Sequence, residues 1–235
     1  MHKNCWFKTQ TAQGIVEYAL IIVVVVIGVL LVLRSTGSSV EAVYCKALGG
    51  ITGEGCGCEF DFDDGLELES WEGSNPNGYF SIQDGKACLT SDGAARSFLN
   101  SCSGTAGSDN FSVAVENVTL EKAANGNIGF DVWFRAQDEN NGYHFTYNAK
   151  THVIRFWKQV NGKWIMLASK SSPKEWAAET LNFKIVINGD VFTAYKDDVE
   201  ILQASDDTFK FEKVGLRNKP GSKTCLDSMV IEIVH

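Results

Sequence analysis

From Asp131 to Arg135 the residues alternate: Val132 and Phe134 fall on one side of an extended strand, and Asp131, Trp133 and Arg135 on the other. If the apolar pair faces a core, an indole and a guanidinium share the opposite face, where Arg155 and Trp157 from a neighbouring strand and His144 can join them. Sugar binding asks for that combination, because a pyranose ring stacks on an aromatic face while its hydroxyls need fixed polar partners. The same alternation also fits tryptophans that belong to the core or lie under a loop, with Arg135 paired to an acid. Familiar catalytic groupings do not occur: there is no Gly-x-Ser-x-Gly elbow, no phosphate loop and no His pair at metal spacing.

A second candidate is a single acid, Glu17, at the start of an apolar run from Ile15 to Leu33. A carboxylate at mid-bilayer depth costs roughly 2.5 to 3.5 kcal/mol on insertion scales, so such a residue calls for a partner or a place at the headgroup level. The run has about the 20 residues that a helix needs to cross the hydrocarbon layer. Lys3 and Lys8 precede it, which by the positive-inside tendency keeps that end cytoplasmic. A cleaved secretory signal would have a shorter apolar core and small residues after it, whereas here Arg34 follows and a helical pattern continues through Val40, Val43, Tyr44 and Leu48.

The seven cysteines divide about this run, Cys5 before it and Cys45, Cys56, Cys58, Cys88, Cys102 and Cys225 after it. One on the reducing side and six on the oxidising side is what a membrane boundary predicts. Cys88 and Cys102 read as a local pair across adjacent strands, leaving Cys45, Cys56, Cys58 and Cys225 to tie the domain entrance to the last strand. Zinc is the rival reading of Cys56-Gly57-Cys58, but no second closely spaced Cys or His pair completes a site. A net charge of −8 without a basic cluster argues against nucleic acid as a partner.

These groups must be positioned by two kinds of element. Residues 13–48 read as a helix after a short polar leader, 1–12, and the glycine-rich stretch 49–57 reads as a linker. From 58 to 235 the period shifts to two. Short runs rich in β-branched and aromatic residues, such as Phe111 to Val118, Val153 to Trp157 and Leu181 to Ile187, are separated by turns such as Asn161-Gly162 and Asn188-Gly189-Asp190. Trp176-Ala177-Ala178 reads as one helical turn. The fold class predicted is a long N-terminal α-helix followed by an all-β jelly-roll sandwich.

The stretch Gln13-Gly14-Ile15-Val16-Glu17-Tyr18, with its basic leader and apolar continuation, resembles the N-terminus of the type IV pilins, most closely the small Flp pilins of tight-adherence systems. The resemblance covers roughly residues 9 to 45. It implies cleavage between Ala12 and Gln13 by a prepilin peptidase, placing Glu17 fifth and Tyr18 sixth in the mature chain. Gly usually precedes that cut, so Ala12 is a departure, and a cut between Gly14 and Ile15 is the alternative. It also implies a partner for the acid, since in a filament the Glu17 carboxylate meets the free amino group of a neighbouring subunit.

From Phe60-Asp61-Phe62-Asp63-Asp64 onward the chain resembles the concanavalin A-like, laminin-G-like jelly rolls of bacterial surface proteins. The resemblance continues through Gly129-Phe130-Asp131-Val132-Trp133-Phe134-Arg135, Ile154-Arg155-Phe156-Trp157, Gly162-Lys163-Trp164 and Leu226-Asp227-Ser228. Glycanases of this fold set carboxylates along one strand as Glu-x-Asp-x-(x)-Glu, and no such run occurs here, so an enzyme is not predicted. Relatives often hold one structural Ca²⁺ with acids from the first and last strands, which points to Asp63 or Asp64 with Asp227. Asn110-Phe111-Ser112 and Asn117-Val118-Thr119 fit the glycosylation pattern.

Together these readings predict a structural subunit of a type IV, Flp-like pilus. It would anchor first in the cytoplasmic membrane, pass to an extracellular filament of like subunits through the pilus assembly machinery, and display a jelly roll for adhesion. The alternative is a membrane-anchored or minor pilin-like lectin that binds a surface glycan. No cofactor is required by either reading.

Overall fold

The computed structural model describes residues 21–23, 57–62, 71–73, 80–90, 96–99, 109–121, 128–210, 213–219 and 221–234. The chain divides into two compact units, Met1–Tyr44 and Cys45–His235. Of the first, residues 21–23 are described, and they are helical and exposed. Among the described residues no helix is long and apolar enough to cross a membrane. The leader, the cleavage positions Ala12, Gln13, Gly14 and Ile15, the residues Glu17 and Tyr18, and Cys45, Cys56 and Cys102 lie outside the described residues.

The second unit is a sandwich of two antiparallel sheets. One, of seven strands, runs β10(Lys163–Ser171), β9(Val153–Val160), β8(Asn141–Asn148), β7(Gly129–Asp138), β14(Lys213–Asn218), β5(Arg96–Leu99) and β2(Trp71–Gly73). The other, of nine, follows the order β13(Val199–Ser205), β12(Val191–Lys196), β11(Leu181–Asn188), β6(Phe111–Glu121), β15(Lys223–Leu226), β4(Lys86–Thr90) and β3(Phe80–Gln83). Its remaining strands pair off that path, β16(Ser228–Ile233) with β6 and β1(Cys58–Phe60) with β16.

Alternation builds this arrangement. In β11 Leu181, Phe183, Ile185 and Ile187 are buried while Asn182, Lys184 and Val186 are not, so one edge of the strand enters the core between the sheets. In β9 Ile154 and Phe156 enter the same core, and Arg155 and Trp157 face away from it. β7 is buried along both faces from Gly129 to Ala136, which already indicates that its outer face is covered. Asn161-Gly162 turns β9 into β10 with both residues at positive φ (49° and 77°), the type I′ geometry that Asn-Gly predicts. A 3₁₀ turn at Glu175–Ala178 stands where the helical turn was predicted.

Several strands are missing from the sequence reading, among them β3, β4, β13 and β15. β13 follows an Asp197-Asp198 turn in which both residues hold positive φ (49° and 62°) without a glycine to announce it. The predicted Cys88–Cys102 pairing is corrected: Cys88 bonds Cys225. β15 lies hydrogen-bonded beside β4 with these two residues directly opposite, their Cα atoms 4.1 Å apart. Cys58 is also disulfide-bonded.

Candidate functional site: an aromatic roof over a buried polar layer

Pairing across the outer face of the seven-stranded sheet sets side chains in rows. One row runs Gly215, Trp133, His144, Trp157 and Met166; the next runs Arg217, Asp131, Thr146, Arg155 and Ser169. Directly opposed residues point to the same side of a sheet, so register brings Trp133, His144 and Trp157 into one line and Arg155 beside it.

Arg135 is not in that group. A bulge between Phe134 and Asp138 interrupts the pairing of β7 with β8, and Arg135 there adopts φ 48°. Opposite β14 the bulge adds one residue, which breaks the two-residue period, and the guanidinium turns to the end of the sandwich. It donates to the carbonyls of Asp109 and Gly189 at 2.7 Å each and of Phe209 at 3.3 Å, and it lies 5.7 Å from the centroid of Phe192. Its work is to tie together three loop carbonyls at that end. Gly142 serves the same bulge: at φ 153°, a Cβ on it would lie 2.8 Å from the Ala136 Cα.

Trp133 and His144 keep the predicted face but are not solvent-facing, since both are 0% exposed. Two long side chains from flanking strands cover them. β10 and β14 are separated by β9, β8 and β7, a span of about 19 Å at the usual strand spacing. Yet the Arg217 guanidinium of β14 sits 5.2 Å from the centroid of Trp164 of β10. Both side chains therefore lie flat along the sheet and meet over its middle. Beneath them Trp164 is 4.3 Å from His144, and His144 is 3.7 Å from Trp133, centroid to centroid. Trp133 and Ala136 form a small apolar cluster apart from the main core.

The electrostatics of this layer are tightly arranged. Asp131 is fully buried and receives Lys219 Nζ at 2.7 Å and Arg217 Nη1 at 3.3 Å. Burial would push its carboxyl up, but Lys219 and then Arg217 outweigh burial and hold it below the usual value, ionised at neutral pH. Burial pushes the His144 imidazole well below its usual value against the pull of Asp131, so it is neutral. Thr146 Oγ1 is buried here without a hydrogen-bond partner.

What faces solvent is the roof. Trp164 is 38% exposed and Met166 55%, while Trp157 and Arg155 are half-buried. The two indoles stand nearly perpendicular at 88°, 5.9 Å apart, and the Arg155 guanidinium lies 5.7 Å from the Trp157 centroid. Of the predicted binding residues, Arg155 and Trp157 thus lie on an accessible surface, Trp133 and His144 form its floor, and Arg135 belongs elsewhere. Sequence reasoning missed Trp164, Arg217 and Lys219 as members of the group. Alternation of Trp164 with Met166 carries their common face, but the 19 Å reach that joins Trp164 to Arg217 has no local signal.

Of the predicted calcium ligands, Asp63 and Asp64 lie outside the described residues, and the Asp227 carboxylate is engaged by the Lys86 ammonium. A hard cation on that oxygen would compete with the ammonium, so Asp227 fits the role poorly. Among the described residues no group of three His, Cys, Asp or Glu side chains is placed to hold a metal. The Asn110 side chain accepts from the Gly189 amide at 2.8 Å, and that of Asn117 is exposed.

The chain matches no protein-family model and no curated protein by sequence. Its fold is similar to several solved structures. The carbohydrate-binding module CBM66 from Bacillus subtilis aligns with a TM-score of 0.56 at 22% identity over 68% of this chain and 94% of that one. A Bacillus subtilis protein with a galectin-like fold aligns at 0.57 and 13% over 77% and 97%. A prokaryotic β-1,3-1,4-glucanase derived from a mouse hindgut metagenome aligns at 0.55 and 12% over 76% and 99%. At such identities the likeness is one of fold, and the fold is the jelly-roll sandwich that a carbohydrate-binding module, a galectin-like protein and a β-glucanase share.

Proposed function

We propose that the jelly roll is a glycan-binding module and that the apolar N-terminal segment carries it at the cell surface in the manner of a pilin. The observation that carries the binding reading is the exposed indole of Trp164 standing perpendicular to Trp157 with Arg155 beside it, over a floor fixed by Asp131. Stacking surface and fixed polar donors are then within one sugar's reach, and the floor keeps both from moving. The fold similarity to a carbohydrate-binding module supports the same reading. Binding rather than hydrolysis is proposed because glycosidic cleavage needs two carboxylates about 5 to 9 Å apart. Asp131, the acid in the rows described, is fully buried and held by two cations.

The test is a glycan array probed with the full chain and with Trp164→Ala. Retention of at least one glycan class, lost in a variant that is still folded at the assay temperature, is the expected result. No retention, or retention that ignores the substitution, would reject the platform. The pilin-like part rests on the sequence around Glu17 and is tested separately by mass spectrometry of the mature N-terminus. A new terminus at Gln13 or Ile15 supports it; an intact Met1 or a cut after Arg34 refutes it.

A further inference from the structure

We propose that the ligand of this platform is an acidic glycan, whose carboxylate or sulfate is taken by Arg155 while its ring lies on Trp164 and Trp157; this rests on the glycan-binding reading above. The reason is an imbalance of charge. Among the described residues, the roof and floor set the cations Arg155, Arg217 and Lys219 around the single carboxylate of Asp131. Asp131 is shared by Arg217 and Lys219, and among the described residues Arg155 is in no ion pair. Among the described residues positive charge therefore outnumbers negative around Asp131 and Arg155, on a chain whose net charge is −8. A neutral sugar has no use for it.

The placement of Arg155 fits the role. It lies between Thr146 on β8 and Ser169 on β10 in the same row, so a hydroxyl flanks it on each side. Thr146 Oγ1 is buried and unpartnered, and Ser169 is exposed. A guanidinium presents a planar fork that matches the two oxygens of a carboxylate or sulfate. Its 5.7 Å approach to the Trp157 ring fixes that fork beside the surface on which a pyranose would stack.

An array carrying neutral, uronate, sialylated and sulfated glycans, probed with the full chain at 50 and 300 mM NaCl, separates the outcomes. The inference expects retention confined to one or more acidic classes, weakened at least fivefold by the higher salt, and Arg155→Gln losing tenfold or more with an unchanged melting curve. The uronate and sulfated arms tell the two anion sources apart. Neutral glycans bound as well as acidic ones, a salt-independent signal, or an Arg155→Gln variant that binds normally would overturn the acidic preference while leaving glycan binding in place. An empty array would overturn the inference together with the reading beneath it.

Discussion

The two sheets turn very different outer faces to their surroundings. The nine-stranded sheet carries a groove of about 550 Å³ lined by residues that include Glu116, Lys184, Asp197, Asp198 and Glu232. The seven-stranded sheet presents Trp157, Trp164 and Arg155 over a packed floor. In the groove, Lys184 and Glu232 are 3.9 Å apart and 41% and 57% exposed, a pairing worth little in water. Under the roof, Asp131 is 0% exposed and holds two cations. Volume and preorganisation thus part company, and a stacking ligand is served by the second.

Perturbations should separate the faces, from large effects to negligible ones. Replacing both Cys88 and Cys225 by Ala should cost about 4 kcal/mol in chemical denaturation, since the bond spans 137 residues and constrains the unfolded chain strongly. A loss below about 1 kcal/mol would mean that the nine-stranded sheet does not depend on it. Asp131→Ala should cost about 3 kcal/mol, because Arg217 and Lys219 are left beside a buried gap. If denaturation shows a cost near zero, the polar floor is not what supports the roof.

Acid should act through carboxylates held ionised in the fold. At the end of the sandwich burial would raise the Asp206 carboxyl, but Lys158, Thr208 and Tyr143 bring it down to about 2. A depressed folded value means that its stabilisation is complete above the unfolded value of about 3.8 and is lost as pH falls towards 2. Asp131 is depressed in the same direction. The melting temperature should therefore hold steady from pH 7 to 5 and drop between pH 4 and 2, and Asp206→Asn should flatten part of that drop. A parallel pH profile for the variant would remove Asp206 as a source. At the small end, Lys184→Ala in the groove should shift stability by less than about 0.5 kcal/mol and leave glycan binding unchanged; binding lost in that variant would move the site to the other sheet.

Much of the sandwich is legible in local sequence. Leu181, Phe183, Ile185 and Ile187 mark an inward edge by period alone, and Asn161-Gly162 specifies its turn through two positive-φ residues. The same period places Trp133, Arg155 and Trp157 on one face correctly. It fails at Arg135, because the bulge adds one residue to the count opposite β14 and two opposite β8, and nothing in Phe134-Arg135-Ala136 marks it. It is silent on coverage too: that Trp133 lies under Trp164 and Arg217 depends on side chains four strands apart meeting over the middle of the sheet. Cys88 and Cys225 are likewise neighbours only through the order of β4 and β15.

The roof over the seven-stranded sheet is tested most directly by the binding isotherm of the full chain and of Trp164→Ala with the glycan that the array retains best. Loss of tenfold or more in affinity, about 1.4 kcal/mol or above, in a variant still folded at the assay temperature, is the predicted result. Equal affinity in the two proteins would contradict it.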